Sequence, residues 1–194
     1  MPKDKTFGPG IGDNGRRYAV GIDQSYSGFG ITIIDIDNPA KWETVVFHAP
    51  GAHIDRLVWI KRNLEDSLDL IRHGVDDIRV AMEGYAYGSQ MSHMLGELGA
   101  IVKLTCFEVL SSFHGCYPYI VAPATLKKFA TGKGTGIPKS AVMMHVYKKW
   151  GVEFTDDNAA DSYVLARIAS GLYDTEYEHE IITKIQDPKY REKP

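Results

Sequence analysis

Residues 18–34, Tyr18-Ala-Val-Gly-Ile-Asp-Gln-Ser-Tyr-Ser-Gly-Phe-Gly-Ile-Thr-Ile-Ile34, decide how this chain folds. Two apolar runs, Tyr18–Ile22 and Phe29–Ile34, flank the Ser- and Gly-containing turn Gln24–Gly28, the pattern of two strands joined by a short connection. An acid, Asp23, ends the first run. A carboxylate at a buried strand end is costly to desolvate unless it is paired or binds a metal.

Outward from this hairpin, Asn38-Pro39 turns the chain into a third strand, Thr44–His48. Residues 54–73 place Ile54, Leu57, Val58, Ile60, Leu64, Leu68 and Ile71 near helical spacing, and Gly74 is a natural C-terminal stop. A fourth strand, Ile78–Met82, ends at a second acid, Glu83. A helical tract from Ser89 to Phe113 follows, with Gly96 and Gly99 about one turn apart. Tyr117–Val121 reads as a fifth strand stopped by Pro123. Pro138 opens a helix through Trp150, and Thr155 or Asp156 caps an Ala-rich helix to about Ser170. Three strands in a meander, then helix–strand–helix–strand–helix, predict one α/β domain over 18–173. Its sheet should be five-stranded and mixed, three antiparallel strands plus two parallel ones, with helices on its flanks. Residues 1–17 have no periodicity and are expected to be a flexible arm. The acidic 174–194 segment is expected to be a partly disordered tail.

At 194 residues, 44% apolar and 24% charged, the chain is of ordinary globular composition. No window is apolar enough to span a bilayer, so no membrane role is expected. Cys106 and Cys116 fall in no metal-ligand spacing, and a reduced cytoplasmic protein with free thiols is the expectation. His93, His114 and His145 likewise form no ligand spacing. The net charge of −3 argues against a simple basic nucleic-acid binder, but its distribution is uneven. Val109 to Val152 contains no Asp or Glu, while Lys127, Lys128, Lys133, Lys139, Lys148 and Lys149 all fall there. A basic stretch beside an acidic site suits a metal-dependent enzyme acting on a polyanion.

The acidic site takes its remaining members from Thr155-Asp-Asp-Asn-Ala-Ala-Asp161. Asp157 and Asp161 are four apart on a helix and share a face; Asn158, three before Asp161, competes with Asp157 for that position. Asp156 or Asp157 can alternatively serve as the helix cap. Acids at the ends of three separate apolar elements suggest one oxygen-rich cation site of the kind that takes Mg²⁺ or Mn²⁺ and drives phosphodiester hydrolysis.

Taken in order, Val20-Gly-Ile-Asp-Gln-Ser-Tyr-Ser-Gly-Phe-Gly-Ile-Thr32, Met82-Glu83, Pro123-Ala-Thr-Leu-Lys127, Gly132-Lys-Gly134, Lys139 and Asp157-Asn-Ala-Ala-Asp161 resemble the RuvC-type Holliday junction resolvases of the RNase H-like superfamily. The resemblance spans roughly residues 18–172. It implies a homodimeric endonuclease with two Mg²⁺ ions per active site, Mn²⁺ able to substitute. Asp23 would bridge the ions, with Glu83 and Asp161 as further ligands. The family's fourth ligand aligns with Asn158, whereas charge favours Asp157. Lys127 and Lys139 match basic residues near the scissile phosphate or along the DNA path, Lys139 as a catalytic group, with Lys128 and Lys133 beside them. Tyr85 and Tyr87 lie near an aromatic that the family aims into the junction centre. Dimerisation would use the 89–113 tract. The N-terminal arm and the altered helix motif look more like phage-encoded members. The implied partner is four-way or branched DNA; no helicase partner can be read. Two other readings share the residues: an actin-like ATPase or kinase-type phosphate-binding domain, for which the chain is too short to hold the needed second domain, and a ribonuclease of RNA–DNA hybrids. A junction-clamping module would not need Asp23, Glu83 and Asp161.

Overall fold

Strict alternation of side chains along the strands builds the central sheet and assigns its two faces. In the computed structural model, which describes residues 4–7, 17–84 and 92–191, six strands pair in the order β1-β4-β3-β2-β5-β6. They are β1 (Asp4–Phe7), β2 (Arg17–Asp23), β3 (Phe29–Asp35), β4 (Trp42–Phe47), β5 (Asp77–Glu83) and β6 (Tyr119–Val121). β2, β3 and β4 form the antiparallel meander, and β5 and β6 add in parallel to β2. This is the expected five-stranded mixed sheet. The sixth strand is the difference: residues 4–7, within the segment read as a flexible arm, pair antiparallel with β4 at the edge. An edge strand is held by backbone hydrogen bonds along one side. It therefore needs no apolar alternation to announce it.

Tyr18, Val20 and Ile22 of β2, with Ile78, Val80 and Met82 of β5, face helices α1 (His53–Asp69) and α2 (Ser92–Val109). Ala19 and Ala81 face the other way. There they meet α5 (Asp157–Ser170), which is flanked by α3 (Pro123–Thr131), α4 (Lys139–Trp150) and α6 (Glu176–Gln186). The result is a sheet between two helical layers, each with its own apolar core. α5 lies directly on the sheet, and small residues allow it. A Cβ on Gly30 would come within 2.6 Å of the main-chain oxygen of Asn158, and one on Gly21 still closer to the α5 backbone at Ser162 and Ala166. Beneath the helix, Thr32 Oγ1 joins Thr44 Oγ1 at 2.7 Å and Ser162 Oγ at 2.8 Å, so the buried hydroxyls satisfy one another.

The segment after 174 is a correction to the expected tail. Residues 176–186 form α6, whose Ile181, Ile182 and Ile185 are buried in the α5-side core. Glu178, 1% exposed, accepts hydrogen bonds from the main-chain nitrogens of Asp174 (2.7 Å) and Thr175 (3.2 Å) and pairs with Lys149. The Lys149 ammonium also lies 4.7 Å from the Trp150 ring centroid and 5.4 Å from that of Phe129. The Thr175-x-x-Glu178 spacing is a helix-start signature that the acidic composition obscured. α7 (Pro188–Arg191) continues the chain, and α3 begins at the proline that was read only as a strand stop. The other boundaries moved by a few residues; α1 ends at Asp69 with Leu70 as its C-cap, and Gly74 lies in the loop beyond it with φ +72°. Burial pushes the Cys106 thiol up to about 12, which makes it an inert core residue. Among the described residues, no helix is long and apolar enough to cross a membrane.

Candidate active site

Parallel pairing of β2 with β5 brings two acids to one edge of the sheet. The register matches Ile22 with Met82, so Asp23 and Glu83 follow side by side at the carboxyl ends of their strands. Period two places both on the face of Ala19 and Ala81, beneath α5. Asp156 caps that helix, accepting from the main-chain nitrogens of Asn158 (2.8 Å) and Ala159 (3.1 Å). The first turn of α5 packs on the sheet beside these strand ends, with the Asn158 main chain against Gly30. The outcome is a cleft of 560 Å³ lined by Asp23, Glu83, Asn158 and Asp161, with Lys127 from α3 on its wall.

Between the two candidates for the fourth position, Asn158 lines this cleft and Asp157 is not among its lining residues. Placement therefore favours Asn158 over the charge argument for Asp157. The Asn158 amide nitrogen donates to Asp156 Oδ1 at 3.2 Å, which leaves its carbonyl oxygen as the atom available to a cation. Lys128 and Lys133 are exposed and outside the cleft lining. Lys139 opens α4 just after Pro138. Tyr85 and Tyr87 lie outside the described residues.

Among the cleft residues not anticipated as site residues are Gln24, Ser25, Tyr26 and Arg56. Gln24, 4% exposed, donates through Nε2 to the main-chain oxygen of Glu83. This tie links the two acid-bearing strand ends and leaves Gln24 Oε1 buried without a hydrogen-bond partner among the described residues. A polar residue directly after the strand-ending acid was the available signal. Arg56 carried none, because its position depends on how α1 packs.

Three carboxylates, a free amide oxygen and a buried orphan acceptor make a hard-oxygen donor set of the type that suits Mg²⁺. The donor chemistry fits, although no group of three or more His, Cys, Asp or Glu side chains among the described residues is already gathered to metal-binding separation.

The layered sheet with an acid-lined cleft at its parallel strand ends defines the class as an α/β protein of RNase H-like fold. Among solved structures the chain is similar to RuvC of Thermus thermophilus, with a TM-score of 0.60 at 17% identity, covering 87% of this chain and 96% of that one. It is also similar to T. thermophilus RuvC in complex with Holliday junction substrate, with a TM-score of 0.59 at 18% identity, covering 77% of this chain and 90% of that one. No family model matches the chain, and no curated protein matches it in sequence. At these identities the likeness establishes the RuvC-type fold.

Proposed function

We propose that this chain is a Mg²⁺-dependent endonuclease that resolves four-way DNA junctions as a homodimer, of the kind encoded by phages. The observation that carries the reading is the convergence of Asp23, Glu83, Asn158 and Asp161 from three separate elements in one cleft, with Lys127 beside them. These four residues would hold two ions, which Mn²⁺ could replace. When bound, such ions lower the pKa of a coordinated water and stabilise the leaving oxygen of an in-line displacement, typically from roughly 3.5–4 Å apart. Lys127 would orient the scissile phosphate, and Lys139, Lys128 and Lys133 would line the DNA path. Tyr85 or Tyr87 would stack on an unpaired base. Cleavage would leave a 5′ phosphate and a ligatable 3′ hydroxyl.

Paired cuts on opposed strands require two sites in fixed relation, hence a two-fold dimer. Gly99 is buried within the chain, whereas a Cβ on Gly96 would meet open space. Leu104 and Phe107, 53% and 48% exposed, follow Gly96 at helical spacing on α2, and Phe107 packs against exposed Tyr117 at 5.9 Å between ring centroids. This apolar stripe is the proposed interface. The deciding assay incubates the protein with Mg²⁺ and matched four-way, Y-shaped, linear and RNA–DNA hybrid substrates. Paired symmetric cuts in the four-way junction are expected, with the protein sedimenting as a dimer that Leu104→Glu weakens. Preferential cutting of the hybrid, or a monomer on junction DNA, would overturn the reading.

The choice of fourth ligand has its own test. Asn158→Ala is expected to lower the single-turnover cleavage rate far more than Asp157→Asn, which should stay near wild type. The reverse ranking would restore Asp157 to the site.

A further inference from the structure

We infer that Arg56 clamps a backbone phosphate of the substrate strand, an assignment that rests on the junction-cleaving reading above. Arg56 stands in the first turn of α1 and lines the same cleft as the carboxylates. A cation there opposes the helix dipole, so helix stability does not account for its position. Its guanidinium is held twice by the loop after β2. The Tyr26 ring centroid lies 5.0 Å from Cζ, and Nη1 donates to the Tyr26 main-chain oxygen at 3.3 Å. These contacts fix the plane of the group and occupy one nitrogen. Nε is buried and has no hydrogen-bond partner among the described residues.

The unmatched edge is the informative part. With Nη1 engaged and Nε buried, Nη2 is the guanidinium donor left to meet a phosphate oxygen in a charge-assisted hydrogen bond. No carboxylate among the described residues pairs with Arg56, although Asp23, Glu83 and Asp161 line the same cleft. Phosphate is the anion that a nucleic-acid strand delivers to this cleft in repeated form, and a cation on the wall also offsets the repulsion between the strand and the acids. Arg56 acts here as a positioning residue: it sets where the strand lies relative to Asp23 and Glu83.

The test measures binding of full-length protein to a four-way junction as a function of salt, in an Asp23→Asn background so that the DNA stays intact. One lost phosphate contact lowers the slope of log K against log salt by about 0.9. Arg56→Ala and Arg56→Met, the latter keeping an apolar stem over Tyr26, are each expected to lower it by that amount. Both should weaken binding roughly tenfold, the scale of one charge-assisted hydrogen bond. Arg56→Lys should restore the slope but only part of the affinity, because it keeps the charge and loses the planar hold on Tyr26. An unchanged slope and affinity in a folded Arg56→Met protein would overturn the assignment and leave the nuclease reading intact. Absence of junction binding in the Asp23→Asn parent itself would overturn both.

Discussion

Asp23→Asn is expected to abolish junction cleavage while leaving junction affinity close to that of wild type. Asp23 is 4% exposed at the carboxyl end of β2, next to Glu83 in the parallel register and under the first turn of α5. Loss of a group that only supports a metal ligand costs about 10–100-fold in affinity or activity; if Asp23 bridges the proposed ions, its loss should exceed that range. Binding, in contrast, draws mainly on cations that meet phosphates, and removing one acid takes none of those away. The two quantities should therefore separate. Single-turnover cleavage and gel-shift titration on the same junction measure both, and a wild-type cleavage rate would remove Asp23 from the active site.

Gly21→Ala is expected to have the largest effect on stability of any single methyl addition at the described glycines. The new Cβ would sit well inside contact distance of Ser162 and Ala166 backbone atoms, and 2.9 Å from the Leu165 carbonyl carbon. Overpacking that side chains can absorb costs about 1–3 kcal/mol. Backbone atoms of a buried helix cannot rotate away, so the cost should lie at or beyond the top of that range. α5 would have to lift from the sheet and carry Asn158 and Asp161 with it. Any folded fraction should therefore be catalytically weak as well. Gly96→Ala is the matched control. Its Cβ would meet nothing within 4 Å, and replacing glycine inside a helix generally stabilises by about 0.5–1 kcal/mol. Denaturant unfolding of the two variants side by side decides the point; equal midpoints would mean that α5 does not approach β2 as closely as described.

The same packing explains what could be read in advance. Apolar runs of five or six residues ending in an acid identified β2 and β5, because strand burial imposes period two and the chain must place a costly carboxylate where it has a use. The cap and Ala-rich composition identified α5, because only small side chains let a helix lie this close to a sheet. α6 was missed because eleven residues with Glu176, Glu178 and Glu180 among them look like a solvated tail unless Ile181, Ile182 and Ile185 are read as one face. Edge strand β1 was missed because backbone pairing leaves little trace in side-chain pattern.

By itself, then, the sequence determined the elements that are governed by local periodicity, the acids Asp23 and Glu83 that end two strands, and Asp161 near the start of α5. Only the tertiary structure decided how these meet. The parallel register of β2 and β5 brings Asp23 beside Glu83, and the close packing of α5 on the sheet places Asn158, rather than Asp157, among the residues that line the cleft. Arg56 and Gln24 joined the site through the packing of α1 and a single side-chain tie to the Glu83 backbone. Such relations depend on contacts between residues far apart in the chain, and neither spacing nor propensity encodes a distance of that kind.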